Sequence, residues 1–257
     1  MASVDPSSSI IFFLILTLAY STFKYYTKSP SMVKIWTMVY FLVLIVVQFF
    51  INLSLTNEIC GFTQYSIAFR TTFIPWFFIF GSLNLILLAF PSWLSPFSNT
   101  IGYFFTYVTG INSFFKNILK DRKTLNLGKS QADMITAINN VYEDKSLIIN
   151  SMTLSNLPMW WESMKNGGLL KSGVTTVHYD ELMNYIKMKT AVAEYVWYAL
   201  TGMLVTSVSY NSIINSGCIQ SAKEMEKRHD EYLEKEKQIG KENKENAGKQ
   251  IVYKTYE

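Results

Sequence analysis

Long apolar runs alternate with short polar breaks through the first third of the chain, and one more run follows near its end. The first run, Ser9 to Phe23 (SIIFFLILTLAYSTF), is about 15 residues long, near the lower bound for crossing a bilayer core. Asp5 precedes it, with neither Lys nor Arg ahead of it and no small-residue cleavage pattern behind. This predicts a retained membrane anchor rather than a signal peptide. Lys24, Lys28 and Lys34 follow in a short basic loop interrupted by Pro30. Ile35 to Leu55 is then uncharged for about 20 residues, enough to cross at 1.5 Å per residue. A mixed polar loop is expected from Thr56 to Thr72, with Glu58 and Arg70, before a third span from Phe73 to Phe90.

The third run ends at Phe90-Pro91-Ser92-Trp93-Leu94-Ser95-Pro96-Phe97-Ser98-Asn99. Pro91 and Pro96 interrupt a helix by removing a backbone donor and crowding the preceding turn. Trp93 suits the headgroup layer, and Ser95, Ser98 and Asn99 suit a turn that starts a new element along the surface. Tyr103 to Leu119 is aromatic but broken by Gly110 and Asn112, which predicts an interfacial helix. Asp121 to Lys189 reads as a soluble helical insert, with turn signals at Pro158, Gly167-Gly168 and Gly173. Trp160 and Trp161 are either its core or a contact with lipid or a partner.

A long helical pattern then runs from Asp180, a candidate N-cap, to Asn215, with Gly217 as its stop. Its second half, Tyr195 to Ile214, is long enough to be a fourth span, with Glu194 at its boundary. Gly202 among Thr and Ser residues suits close helix packing, and Asn84 in the third span suits a hydrogen bond to a neighbouring helix. From Ser221 onward Lys and Glu alternate, with Glu224–Arg228 and Glu231–Lys235 spaced for helical ion pairs. Met225, Tyr232 and Ile239 recur by sevens, yet Ala222, His229 and Glu236 make a poor second seam position, so a solvated or disordered arm is expected.

The sequence therefore predicts an all-α, multi-pass membrane protein with three or four transmembrane helices, a helical soluble insert and a charged C-terminal arm. The expected division is a membrane domain over 1–110, interfacial and soluble helices over 111–190, a fourth membrane helix over 191–217 and the arm over 218–257. Composition agrees: 49% of the 257 residues are hydrophobic and 16% charged, against about 25% charged in soluble domains. The lysines orient the spans. Lys24–Lys34 and the group Lys116, Lys120, Arg122, Lys123 and Lys129 mark one side as cytoplasmic, and the Glu58 loop falls on the other. If the fourth helix spans, the arm emerges opposite the insert.

Function classes can be narrowed. A net charge of +4 without a basic block gives no support for a nucleic-acid partner. Two cysteines, Cys60 and Cys218, form neither a zinc site nor a disulfide framework. Two free thiols are the plain expectation, although four spans would put both on one side. Gly128-Lys129-Ser130 lacks the earlier glycine of a phosphate-binding loop, where Lys123 stands. Thr100-Ile101-Gly102-Tyr103 lacks the final glycine of a potassium filter. His178, Asp180 and Glu181 are read as a polar helix start rather than an acid–base set. No catalytic, cofactor or metal site is predicted, and the protein is not expected to be an enzyme.

The run from Pro75-Trp76 through Gly81 to Phe90-Pro91-Ser92-Trp93-Leu94-Ser95-Pro96-Phe97-Ser98-Asn99-Thr100-Ile101-Gly102-Tyr103 resembles a membrane-protein family of large icosahedral double-stranded DNA viruses. These are of the algal-virus type, whose capsid encloses a lipid membrane. The resemblance covers about the first half of the chain, most closely residues 75–110, with Ser92 where a glycine is expected. It implies a structural virion protein, a minor capsid protein in the internal membrane beneath the shell, inserted first into a host endomembrane. It implies the lipid bilayer and the major and minor capsid proteins as partners, and leaves room for a homo-oligomer. Asp121–Lys189 and the Trp93–Tyr103 turn would face the shell. The interface residues are Trp93, Pro96, Phe97, Ser98, Asn99, Tyr103, Trp160 and Trp161, with Asn84 and Gly202 packing helices in the membrane. The competing expectation is a membrane pore or transporter with a soluble regulatory arm, its path passing Asn84 and Glu194.

Overall fold

A computed structural model describes residues 7–27, 29–121, 142–218 and 222–247. The Lys28, Arg122, Lys123 and Lys129 charges and the Gly128-Lys129-Ser130 motif lie outside the described residues. The chain is an all-α membrane protein: 85% helical, without strands among the described residues, and with four helices long and apolar enough to cross a membrane. These are α1 (Ser7–Tyr26), α2 (Pro30–Cys60), α3 (Tyr65–Ala89) and a 40-residue helix, Thr176–Asn215.

The bundle is built inside out relative to a soluble protein. Ile11, Phe12, Ile15 and Leu18 of α1 point outward, as do Leu42 and Val46 of α2 and Leu85 and Leu88 of α3. Ser9, Thr17, Gln48, Asn52, Thr72 and Thr206 are buried within it. In lipid this is the favourable arrangement, because tails solvate the aliphatics while polar side chains find partners only between helices. Those partners set the register. Ser9 donates to Gln48 Oε1 at 2.8 Å, Thr17 Oγ1 lies 2.9 Å from Tyr40 Oη, and Tyr20 Oη lies 2.7 Å from Thr37 Oγ1. As positions rise along α1 their partners fall along α2, so the two run antiparallel. Asn52 Nδ2 donates to Thr72 Oγ1 at 2.8 Å and joins α2 to α3 in the same manner.

Aromatic rings fill the centre of the bundle. Tyr20 stacks on Tyr40 at 4.2 Å between centroids, and Phe13, Trp76, Phe80 and Tyr198 close around them. Gly202 admits the Phe13 ring: a Cβ on Gly202 would fall within that ring, so α1 and the long helix touch closely there.

Several expected boundaries move. α2 continues to Cys60 and α3 starts at Tyr65, so the polar loop predicted over Thr56–Thr72 shrinks to residues 61–64. Thr56 and Thr72 are buried helical residues there, their hydroxyls bonded to Leu53 and Ala68 carbonyls. Polarity alone made them look like loop residues. Pro75 lies within the third span: lacking an N–H, it breaks the regular ladder, and the helix widens into a π turn over Pro75–Phe80. Neither cysteine is a free thiol, since Cys60 and Cys218 are both disulfide-bonded.

After a 3₁₀ turn at Pro91–Leu94, a helical segment, α4, runs over residues 95–108, with a π turn at Ser98–Gly102. Gly110, at φ 106°, ends it. The interfacial helix expected from Tyr103 to Leu119 is therefore two elements. Tyr103–Val108 completes α4, and α5 (Ile111–Ile118) turns its aromatics into a second core. This core is a cap made of Ile111, Phe114, Phe115 and Ile118 with α6 (Ser146–Ser151), α7 (Leu157–Asn166) and Leu182 and Ile186 of the long helix, α8. Lys120 and Lys171 N–H groups bond the Leu169 and Ile118 carbonyls at 2.9 Å, fastening the end of α5 to the loop after α7.

At 1.5 Å per residue α8 is about 60 Å long, twice a bilayer core of about 30 Å. Its charged half, residues 176–194, serves the cap, and its apolar half, from Tyr195, spans. Bundle and cap fall within one compact unit, Met1–Asn215. The second unit, Ser216–Glu257, contains α9 (Ala222–Ala247), a helix where a solvated arm was expected. Lys227 and Glu231, 3.8 Å apart, show the i,i+4 spacing that favours it.

Gly202→Val should drive two methyls into Phe13 and destabilise the protein by about 1–3 kcal/mol. Combining it with Phe13→Ala should cost less than the two changes summed, as read by thermal unfolding in detergent.

Candidate functional site

The cap-side ends of the spans converge on α8 at three places: an ion pair beside a groove, a buried lysine and an aromatic belt. Lys24, in the last turn of α1, reaches Glu194 at 2.6 Å, with side chains 28% and 20% exposed. The pair fixes α1 against α8 where membrane gives way to cap. Beside it lies an open groove of ≈ 400 Å³ between the end of α1, the start of α2 and the 184–194 face of α8. Asn184, Lys187, Thr190, Ala191 and Glu194 line it, all on one helical face by the i, i+3, i+4, i+7 rule. Among the described residues Lys187 has no ion-pair partner within 4.0 Å.

Lys189 is 2% exposed, one residue pair further round α8 and ahead of its spanning half. Its Nζ donates to the Ile149 carbonyl at 2.6 Å, the Met152 carbonyl at 3.3 Å and Asn99 Oδ1 at 3.3 Å. Ile149 and Met152 lie at the C-terminal end of α6, where backbone carbonyls lack helical partners and a cation is favoured. One side chain thus holds α6 and α4 on α8. Desolvation lowers the Lys189 ammonium from 10.5 to about 8. At the other end of α6, hydrogen bonds from the Ser146 side chain and, second, from the Ser146 N–H at 2.8 Å hold the Asp144 carboxylate below its usual pKa.

Gly102 lets α4 sit on α8. A Cβ there would come 2.5 Å from the Lys189 carbonyl oxygen, a backbone atom that cannot move aside. The belt follows. Trp93 and Phe97 both meet Trp197 edge to face, at 6.4 and 6.1 Å, and Leu94 packs with Ala193 and Leu87. Trp93 is 51% exposed, as a headgroup-level ring would be.

The predicted site residues separate accordingly. Trp93, Phe97, Ser98, Asn99 and Tyr103 gather along α4 and its entry turn, and Pro96 sits in the first turn of that helix rather than stopping one. Trp160 and Trp161 are cap residues, packed against its core, with Trp161 edge to face on Tyr179. Among the described residues Asn84 Nδ2 donates to the Phe80 carbonyl of its own helix at 2.8 Å. Asn52, Gln48 and Ser9 make the bonds between helices instead. α8 begins at Thr176, not Asp180, because His178 Nδ1 accepts the Thr175 N–H at 3.2 Å and caps it from within. Asp180 and Glu181 are exposed.

Lys24, Lys187, Lys189 and Gly102 were missed as site residues. The spacing of 184, 187, 190, 191 and 194 was a readable signal for a polar face on α8. Nothing local marked Lys189 as buried. Compared with known proteins, the chain matches no family model, no curated protein and no solved structure.

Lys24→Glu or Glu194→Lys should destabilise by about 1–2 kcal/mol, between the exposed and buried limits for ion pairs. The double swap should recover most of the loss. For Lys189, the unfolded chain keeps its proton to about pH 10.5 while the folded chain releases it near 8. Stability should therefore rise with pH across that window and fall back below it. The stability of wild type relative to Lys189→Met should increase from pH 8 to 10.5 in parallel denaturant titrations.

Proposed function

We propose that the protein is a structural component of a virion, a minor capsid protein that anchors the icosahedral shell to the membrane beneath it. The observation that carries this reading is the continuity of α8, one helix that belongs to both the membrane bundle and the cap. Load applied to the cap passes down an unbroken hydrogen-bonded rod into the bilayer, with no hinge between them. The resemblance of residues 75–103 to the membrane proteins of algal-virus-type capsids supplies the setting.

In this role the free-energy difference that resists extraction is the burial of apolar surface in lipid, about 25 cal/mol per Å². Each copy can then hold the shell weakly, because many copies act at once. The cap is the docking part. Leu147, Met159 and Val177 are exposed upon it, at 50%, 64% and 70%, and none belongs to its core.

Replacing Leu147, Met159 and Val177 together with Glu should leave insertion and thermal stability near wild type and reduce incorporation into virions at least tenfold. Incorporation at the wild-type level, with normal insertion, would overturn the assignment of the cap as the docking surface.

A further inference from the structure

The groove beside Lys24 and Glu194 has the chemistry of a phosphate site at a membrane surface, and we infer that it binds the phosphate of an anionic phospholipid headgroup. The inference stands apart from the proposed virion role and holds in whatever membrane the protein occupies. Three observations lead to it.

The first is charge. Lys24 and Lys187 both line the groove, and the single carboxylate among its described lining residues, Glu194, is already bonded to Lys24. The lining is left with the unmatched Lys187 cation, and the Lys24 ammonium has three donors, of which Glu194 takes one. Asn184 adds amide donors on the same face. A phosphate oxygen accepts from all three.

The second is place. The groove opens between the end of α1 and the start of α2, where both spans reach the headgroup layer. The lysine distribution marks this side as cytoplasmic, and cytoplasmic leaflets are rich in anionic lipid. A basic pocket between membrane helices on that side is a recurrent headgroup site.

The third is what adjoins it. Tyr26, which lines the groove, is 75% exposed, and three residues from it and from Val33 along their helices Phe23 and Trp36 meet edge to face at 4.9 Å, each exposed by 40% or more. These rings offer an apolar surface for acyl chains running down from a headgroup seated at Lys187. A soluble anion would have no use for that surface. At ≈ 400 Å³ the groove is within the range of small-molecule pockets, about 300–1,000 Å³.

The test uses the full chain in neutral detergent, with its thermal midpoint followed as dioctanoyl phosphatidic acid, dioctanoyl phosphatidylcholine or inorganic phosphate is titrated in. Phosphatidic acid should raise the midpoint by about 3–5 °C near saturation. Lys187→Gln should raise the half-saturating concentration about tenfold, the loss of one charge-assisted contact. Lys187→Arg should keep binding close to wild type, and Lys165→Gln, on the exposed cap surface, should leave it unchanged. Equal shifts from phosphatidylcholine and phosphatidic acid would overturn the inference, since apolar contact alone would then suffice. So would equal losses from Lys187→Gln and Lys165→Gln, the sign of diffuse surface attraction. An equal Lys187-dependent shift from inorganic phosphate would overturn the lipid assignment and mark the groove as a site for the free anion.

Discussion

A single helix is the wall shared by the bundle and the cap, and most of the structure follows from that constraint. α8 is too long for a bilayer, so half of it must leave the membrane, and whatever covers that half becomes part of the same rigid body. Leu182 and Ile186 supply the cap with two of its core positions. Tyr198, Gly202 and Val205 supply the bundle with its closest contacts. Between them, Lys189, Ala193, Glu194 and Trp197 receive α6, α4 and α1 in turn. The transition from water to lipid is therefore built along one helix, a few turns long.

The two halves are held by opposite physics. The cap buries aliphatic and aromatic side chains away from water, as soluble cores do. The bundle cannot gain that way, because lipid solvates leucine as well as a neighbouring helix does. It relies instead on polar pairs such as Ser9–Gln48 and Asn52–Thr72 and on the close seating of Phe13 over Gly202. These devices differ in what they specify. The hydrogen bonds set which residues face each other, and the glycine sets how near the helices come.

The polar features at the boundary are similarly divided in role. The Lys24–Glu194 pair and the Lys189 anchor are satisfied within the protein and join elements to α8. Lys187 has no ion-pair partner among the described residues, and it lines an open groove. The difference between a structural and a binding cation here is one of partners, not of residue type.

How much of this was legible beforehand depends on whether a feature is local. Ile35–Leu55 had to be a span because about 20 uncharged residues can satisfy their backbone in lipid only as a helix. The class of fold and the fourth long apolar helix were readable for the same reason: each depends on a side chain's own transfer energy. Other features depended on partners distant in sequence. Thr56 and Thr72 read as loop residues until their carbonyl partners and Asn52 were in place. Asn84 had the right chemistry to bridge helices, but its Nδ2 donates to the Phe80 carbonyl of its own helix. Phe114 and Phe115 suited a lipid surface equally well until Gly110 turned them into the cap. Nothing adjacent to Lys189 or Lys187 distinguishes them, yet one is buried against α6 and the other lines a groove. Hydrophobic content alone determined that this chain crosses a membrane. Only tertiary structure decided which charges are spent inside it, because that choice rests on contacts between residues up to 170 positions apart.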